Sequence, residues 1–137
     1  MSTEANPTPP AKRRILVMDD EEAICRIIGL MLTRLGFECE CVGSGEAALE
    51  RYAAAMRAGQ PFSAVILDLT IPVGMGGAEA AERLRALDPQ VCAIVSSGYS
   101  RDPYVVSYKE KGFRGVISKP FRLQDVESAL REALAAP

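Results

Sequence analysis

The chain has 137 residues, 48% hydrophobic and 25% charged, which is ordinary usage for one globular domain. Its net charge of −2 offers no electrostatic footprint for nucleic acid, no apolar run reaches the roughly 18 residues of a membrane span, and the N-terminus lacks the apolar stretch of a secretory signal. Histidine and tryptophan are absent, which excludes Ser-His-Asp and Cys-His catalysis, removes the commonest zinc ligand and leaves little for base stacking.

Residues 1–13 hold three prolines and read as a flexible N-terminal tail, with the folded domain at 14–137. The apolar run Ile15-Leu16-Val17-Met18 predicts a strand buried on both faces, and it stops abruptly at Asp19-Asp20-Glu21-Glu22. Ile24, Ile27, Ile28, Met31, Leu32 and Leu35 recur at helical spacing, and Gly36 ends that helix. Residues 38–42 alternate and predict a more edge-like strand. Ser44 is placed to N-cap a second helix running to Arg57, broken by Gly59-Gln60-Pro61.

Ala64-Val65-Ile66-Leu67 predicts a third strand, ending at Asp68, followed by a loop from Thr70 to Gly77. A helix over 78–87 stops at Asp88-Pro89. Residues 91–95 predict a fourth strand, ending at Ser96-Ser97-Gly98. A helix over 101–111 ends at Gly112, a short strand covers 115–118 before Lys119-Pro120, and a last helix runs over 123–135 with Val126, Leu130 and Leu134 facing inward. Five strands alternating with five helices predict an α/β fold, a parallel sheet covered on both faces through right-handed crossovers.

Cys25, Cys39, Cys41 and Cys92 lack the paired spacings of a zinc site. Cys39 and Cys41 share one face of a strand, and all four read as small buried thiols of a reducing compartment.

The polar residues gather at the carboxyl ends of strands, where open parallel sheets bind ligands. Strand one ends in Asp19-Asp20, strand three in Asp68, strand four in Ser97 and strand five in Lys119. Each residue has an ordinary reading taken singly: Asp19 and Asp20 as charges favoured by a helix dipole, Asp68 and Ser97 as turn residues. Four strand ends agreeing by accident is the weaker account. Three carboxylates brought together repel unless a cation joins them, and an oxygen-only donor set suits Mg²⁺. A lysine and a hydroxyl opposite would take the oxygens of a phosphoryl group, leaving Asp68 as the nucleophile and an aspartyl phosphate as the product.

On Ile15-Leu-Val-Met-Asp-Asp20, Val65-Ile-Leu-Asp-Leu69 with Pro72, Ser97-Gly98 and Lys119-Pro120-Phe121, the chain resembles the receiver domain of bacterial response regulators over about 14–135. The resemblance implies a flavodoxin-like three-layer sandwich with strand order 2-1-3-4-5. It implies that Asp68 accepts a phosphoryl group from a phosphohistidine on a sensor histidine kinase or a histidine phosphotransfer protein. Asp20 would bind Mg²⁺ directly, Asp19 directly or through water, and Asp68 and the backbone carbonyl of Thr70 would complete the protein donors. Lys119 would pair with the phosphoryl group, Ser97 would swing in to hydrogen-bond it, and the face formed by the fourth helix, fifth strand and fifth helix would shift. Such a protein is a cytoplasmic switch rather than an enzyme acting on other substrates, with no nucleic-acid or membrane partner of its own. No output domain follows the last helix, so a protein partner or a further relay step is expected to read the signal.

Several positions depart from the family pattern. The loop after Asp68 is one residue longer than usual, Val116 stands where an aromatic often accompanies the serine shift, and Thr70 and Tyr99 occupy positions that tune dephosphorylation. The wording of the loops is similar to receiver domains at the C-terminal end of hybrid sensor kinases. Two other functions compete: a degenerate receiver that binds protein without phosphorylation, and an aspartate-nucleophile phosphohydrolase, which would need a second acid where Thr70 stands.

Overall fold

The computed structural model describes residues 13–69, 74–98 and 101–135. Ten elements follow in strict alternation: β1 (Arg14–Met18), α1 (Glu22–Arg34), β2 (Glu38–Val42), α2 (Gly45–Arg57), β3 (Ala64–Asp68), α3 (Gly77–Leu87), β4 (Ala93–Ser97), α4 (Pro103–Val106), β5 (Gly115–Ser118) and α5 (Leu123–Ala135). All strand pairings are parallel, in the order β2-β1-β3-β4-β5, the flavodoxin-like arrangement that the resemblance implies. No helix among the described residues is long and apolar enough to cross a membrane.

Burial of the sheet on both faces follows from alternation along each strand. Leu16, Met18, Val65, Leu67, Ala93 and Val95 join the core beneath α2 and α3, with Ala48, Tyr52, Ala81 and Leu84. Ile15, Val17, Ala64, Ile66, Ile94 and Ile117 join the other core, beneath α1 and α5, with Ile28, Leu32, Val126 and Leu130. Local chemistry starts and stops the elements as the sequence implies. Ser44 caps α2 by accepting from the Ala47 N–H at 3.2 Å, and Gly36, at φ 94°, turns the chain after α1.

Two elements differ from the sequence expectation. The fourth strand lies at 93–97 rather than 91–95, because its pairing begins at Val65↔Ala93 and continues through Asp68↔Ser96; Val91 and Cys92 are buried but precede the ladder. Ser96 and Ser97 are therefore the last two residues of the strand. The fourth helix is a single turn instead of 101–111. Asp102 caps it by accepting from the Tyr104 N–H at 2.8 Å and Pro103 opens it, but Val105, Val106 and Ser107 are poor propagators and none of its residues is fully buried. The chain continues as turns to Gly112.

The cysteines bring a correction. Cys39 and Cys92 are free thiols, but Cys25 and Cys41 form a disulfide, with Cα atoms 6.1 Å apart. Spacing along the chain could not show this, because the pair meets only when α1 lies antiparallel across β2.

Two polar groups in the core carry opposite consequences. The Tyr52 hydroxyl donates to Asp88 Oδ2 at 2.7 Å, tying α2 to the end of α3; burial, then this bond, push the phenol above its ordinary pKa. Tyr52→Phe is expected to cost about 1 kcal/mol in urea unfolding. Ser96 Oγ, in contrast, is buried without a hydrogen-bond partner. Ser96→Ala is expected to leave stability unchanged or raise it by about 1 kcal/mol. A loss above that size in the same assay would show that the hydroxyl is satisfied in solution.

Candidate functional site

The carboxyl ends of β1, β3, β4 and β5 lie side by side, so residues far apart in sequence converge at one edge of the sheet. Asp19 directly follows β1. Its N–H donates to the Val42 carbonyl at 3.0 Å, which aligns it with the end of β2, and its Oδ1 accepts from the Glu21 N–H at 3.0 Å. The side chain is thus fixed from both sides, and the residue is 3% exposed. Asp20 projects to solvent. Asp68 closes β3 and is 2% exposed. One carboxylate oxygen from each of Asp19, Asp20 and Asp68 lies within 4.8 Å of the others.

Lys119 supplies the counter-charge. Its Nζ lies 2.9 Å from Asp19 Oδ2 and 3.4 Å from Asp68 Oδ2, bridging the two buried carboxylates. Burial pulls the ammonium pKa down, but the hydrogen bond to Asp19 and the charges of Asp68 and Asp19 outweigh it, and the group stays above the ordinary lysine value. The backbone holds it there: the Lys119 N–H donates to the Ser97 carbonyl at 3.0 Å. Ser97, 2% exposed, ends β4 opposite Ser118.

Asp19, Asp20, Asp68 and Lys119 therefore meet in space, and Ser97 ends the neighbouring strand with its carbonyl bonded to the Lys119 N–H. Thr70 and Tyr99 lie outside the described residues. Val116 is half-buried against the core beneath α2 and α3.

Two close approaches shape the rim. A Cβ at Gly77 would come within 2.6 Å of the Asp68 carbonyl oxygen, so glycine lets α3 start directly against the end of β3. Gly45 plays the same part for the loop: its N–H donates to the Met75 carbonyl at 3.1 Å, and a Cβ there would meet Met75 at 2.8 Å. The Met75 N–H in turn donates to Glu46 Oε1 at 3.3 Å. This clasp between the start of α2 and the loop after Asp68 was not legible in the sequence, where Glu46 is one exposed first-turn acid among several.

Three carboxylates face one ammonium, so the cluster has negative charge to spare. Its donors are all hard oxygens, and Asp20 leaves one side open to water. That set fits a small hard divalent cation such as Mg²⁺ and offers nothing to a soft metal. A buried carboxylate at a strand end, beside a fixed cation, is equipped to take and stabilise a transferred anionic group.

Comparison with known proteins agrees with this geometry. The family profile of the response regulator receiver domain matches residues 15–131. The chain is 32% identical over 123 residues to the uncharacterized transcriptional regulatory protein YkoG of Bacillus subtilis, covering 90% of this chain and 51% of that protein. It is 30% identical over 120 residues to the sensory transduction protein RegX3 of Mycolicibacterium smegmatis, covering 88% of this chain and 50% of that one. It thus spans about half the length of these relatives. Among solved structures, a CheY-like response regulator receiver domain protein from Methanospirillum hungatei superposes with a TM-score of 0.76 at 26% identity, covering 91% of this chain and 95% of the other. A sensor protein from Polaromonas sp. JS666 superposes with a TM-score of 0.79 at 25% identity, covering 91% and 98%. With the strand order, the strand-end acids and the lysine already in place, the conclusion is that the chain belongs to the response regulator receiver domain family.

Proposed function

We propose that Asp68 is the phosphoacceptor of a cytoplasmic two-component switch, with residues 14–137 as the receiver unit and 1–13 as an N-terminal tail. The observation that carries the reading is the placement of the Lys119 ammonium between Asp19 and Asp68. In the reaction, a carboxylate oxygen of Asp68 forms a bond to phosphorus as the phosphorus–nitrogen bond of a phosphohistidine breaks. The imidazole of the partner kinase or phosphotransfer protein leaves with the bonding pair. The chain has no histidine of its own to act as donor.

Phosphoryl transfer asks a protein mainly for positioning and charge neutralisation. Lys119 supplies a fixed positive charge beside the accepting oxygen. Asp19, Asp20 and Asp68, with the Thr70 carbonyl as the resemblance implies, would hold Mg²⁺, which neutralises the charge of the transferring group when bound. Asp19 has little freedom to move, since its amide and one carboxylate oxygen are already engaged. Ser97, at the end of β4, is the hydroxyl that would turn toward the new phosphoryl group, drawing with it the face built from α4, β5 and α5. The convergence of the acids, Ser97 and Lys119 favours a working acceptor over a degenerate receiver.

Incubation with acetyl phosphate and Mg²⁺ is expected to add one phosphoryl group by intact-mass spectrometry, with no gain in Asp68→Asn. An unmodified wild-type mass under those conditions would overturn the assignment. Lys119→Ala is expected to slow labelling about 10²-fold or more, the usual cost of removing a preorganised charge from a transferring oxygen.

Crowding of like charges makes a prediction of opposite sign for stability. In Mg²⁺-free buffer, Asp20→Asn is expected to raise the unfolding free energy by about 1 kcal/mol, by relieving repulsion between neighbouring carboxylates. The same variant should lose most of the stabilisation that Mg²⁺ gives the wild type in thermal melts. A destabilised variant that still responds fully to Mg²⁺ would remove Asp20 from the cation site.

A further inference from the structure

α1 runs antiparallel across β2, and their repeats match. Four residues of helix rise about 6 Å and two residues of strand about 6.6 Å. Cys25 therefore stands over Cys41 while Gly29, one turn on, stands over Cys39, whose Sγ is 4.0 Å from where a Gly29 Cβ would be. The Cα separation of Cys25 and Cys41, 6.1 Å, lies within the range a disulfide spans. Both residues are only partly buried, so a small oxidant or reductant can reach them.

The pair lies at the two anchors of Asp19. Val42, directly after Cys41, accepts the Asp19 N–H at 3.0 Å. On the other side, Glu21 N–H donates to Asp19 Oδ1 at 3.0 Å, Cys25 N–H donates to the Glu21 carbonyl at 3.1 Å, and Cys25 Sγ lies 3.5 Å from the Asp19 carbonyl oxygen. A disulfide sulfur has no proton, so that last contact becomes a hydrogen bond only when Cys25 is a thiol. The sulfur–sulfur bond closes a ring through Cys41, Val42, Asp19, Glu21 and Cys25, with the acidic turn inside it.

We propose that Cys25 and Cys41 are a reversible redox site whose disulfide locks the Asp19–Asp20 turn and tightens its hold on the divalent cation. The inference rests on the reading of Asp19 and Asp20 as cation ligands. The oxidant is a low-molecular-weight disulfide such as oxidised glutathione. One cysteine gives up its proton and attacks a glutathione sulfur, releasing one glutathione thiol. The second cysteine attacks the mixed disulfide and releases the other. Two thiols are oxidised to one disulfide, and the glutathione disulfide is reduced to two thiols.

The other two cysteines are poor competitors. Burial, then the charge of Glu40, pushes the Cys39 thiol up to about 11, and burial also raises Cys92, whose Sγ lies 3.6 Å from the Ala133 carbonyl beneath α5. A thiol held protonated exchanges slowly.

The test equilibrates the full chain in glutathione buffers and maps the cross-link by peptide mass spectrometry. Amide hydrogen exchange over 19–25 is then followed without metal, and Mg²⁺ is titrated by calorimetry in both redox forms. The oxidised protein is expected to show a Cys25–Cys41 link, at least tenfold slower exchange in that segment and at least threefold tighter Mg²⁺ binding. Cys25→Ser and, independently, Cys41→Ser should abolish the difference, while Cys39→Ser should keep it. A link elsewhere, or equal exchange and equal Mg²⁺ affinity in the two forms, overturns the redox control and leaves the cation site standing. Absence of Mg²⁺ binding in either form overturns the site reading and this inference with it.

Discussion

Everything at the carboxyl edge of the sheet depends on one ammonium group held between two buried carboxylates. Two unit charges 4.8 Å apart, the spread of the acid cluster, repel by about 1 kcal/mol in water and by about 3–4 kcal/mol at the effective dielectric of a protein surface. Asp19 and Asp68 are both nearly inaccessible, so water alone does not screen them from each other. Lys119 makes their coexistence possible in the absence of metal, and its place is set by the backbone bond from its N–H to the end of β4. A site built this way is strained in charge rather than in shape. It answers to whatever cation or anion arrives, which is the property a phosphorylation switch requires.

The fold serves that arrangement by bringing strand ends together. Parallel strands joined by crossover helices put every carboxyl end on the same edge, so acids from β1 and β3 and a lysine from β5 become neighbours across a hundred residues of sequence. Packing of the helices then decides how closely the loops approach. α3 starts against the Asp68 carbonyl because Gly77 has no side chain to hold it away, and the loop before it is tied to α2 through Gly45, Met75 and Glu46. The single turn of α4 stands apart. It is capped and begun well, but its β-branched residues and lack of fully buried positions stop it early. Among the described helices α4 is the shortest and the one with no fully buried residue.

Phosphoryl chemistry and thiol chemistry would share one turn in this chain. The acidic turn is framed by α1 and β2, the elements that the disulfide joins. Glu21 and Val42 hold the Asp19 backbone and side chain directly, so a constraint on either element reaches this carboxylate without passing through the rest of the core. That economy follows from the short path between the two sulfurs and the carboxylate.

Much of this protein is legible in the sequence because it is written locally. Apolar runs of four or five residues ended by acids, a capping serine at 44, glycines after α1 and before β5, and a proline after Lys119 each act over a few residues, so strands, helices and the five strand-end residues can be read without coordinates. What needed the tertiary structure is whatever depends on two elements meeting. The order of the strands places Lys119 between Asp19 and Asp68. The antiparallel crossing of α1 over β2 brings together Cys25 and Cys41, sixteen residues apart, while leaving Cys39 a free thiol. The ladders that β4 makes with β3 and β5 set the strand at 93–97, two residues further along than the apolar run 91–95. Local propensity sets what each segment becomes, and long-range packing decides which side chains touch, because contact between distant segments has no signature in either one alone.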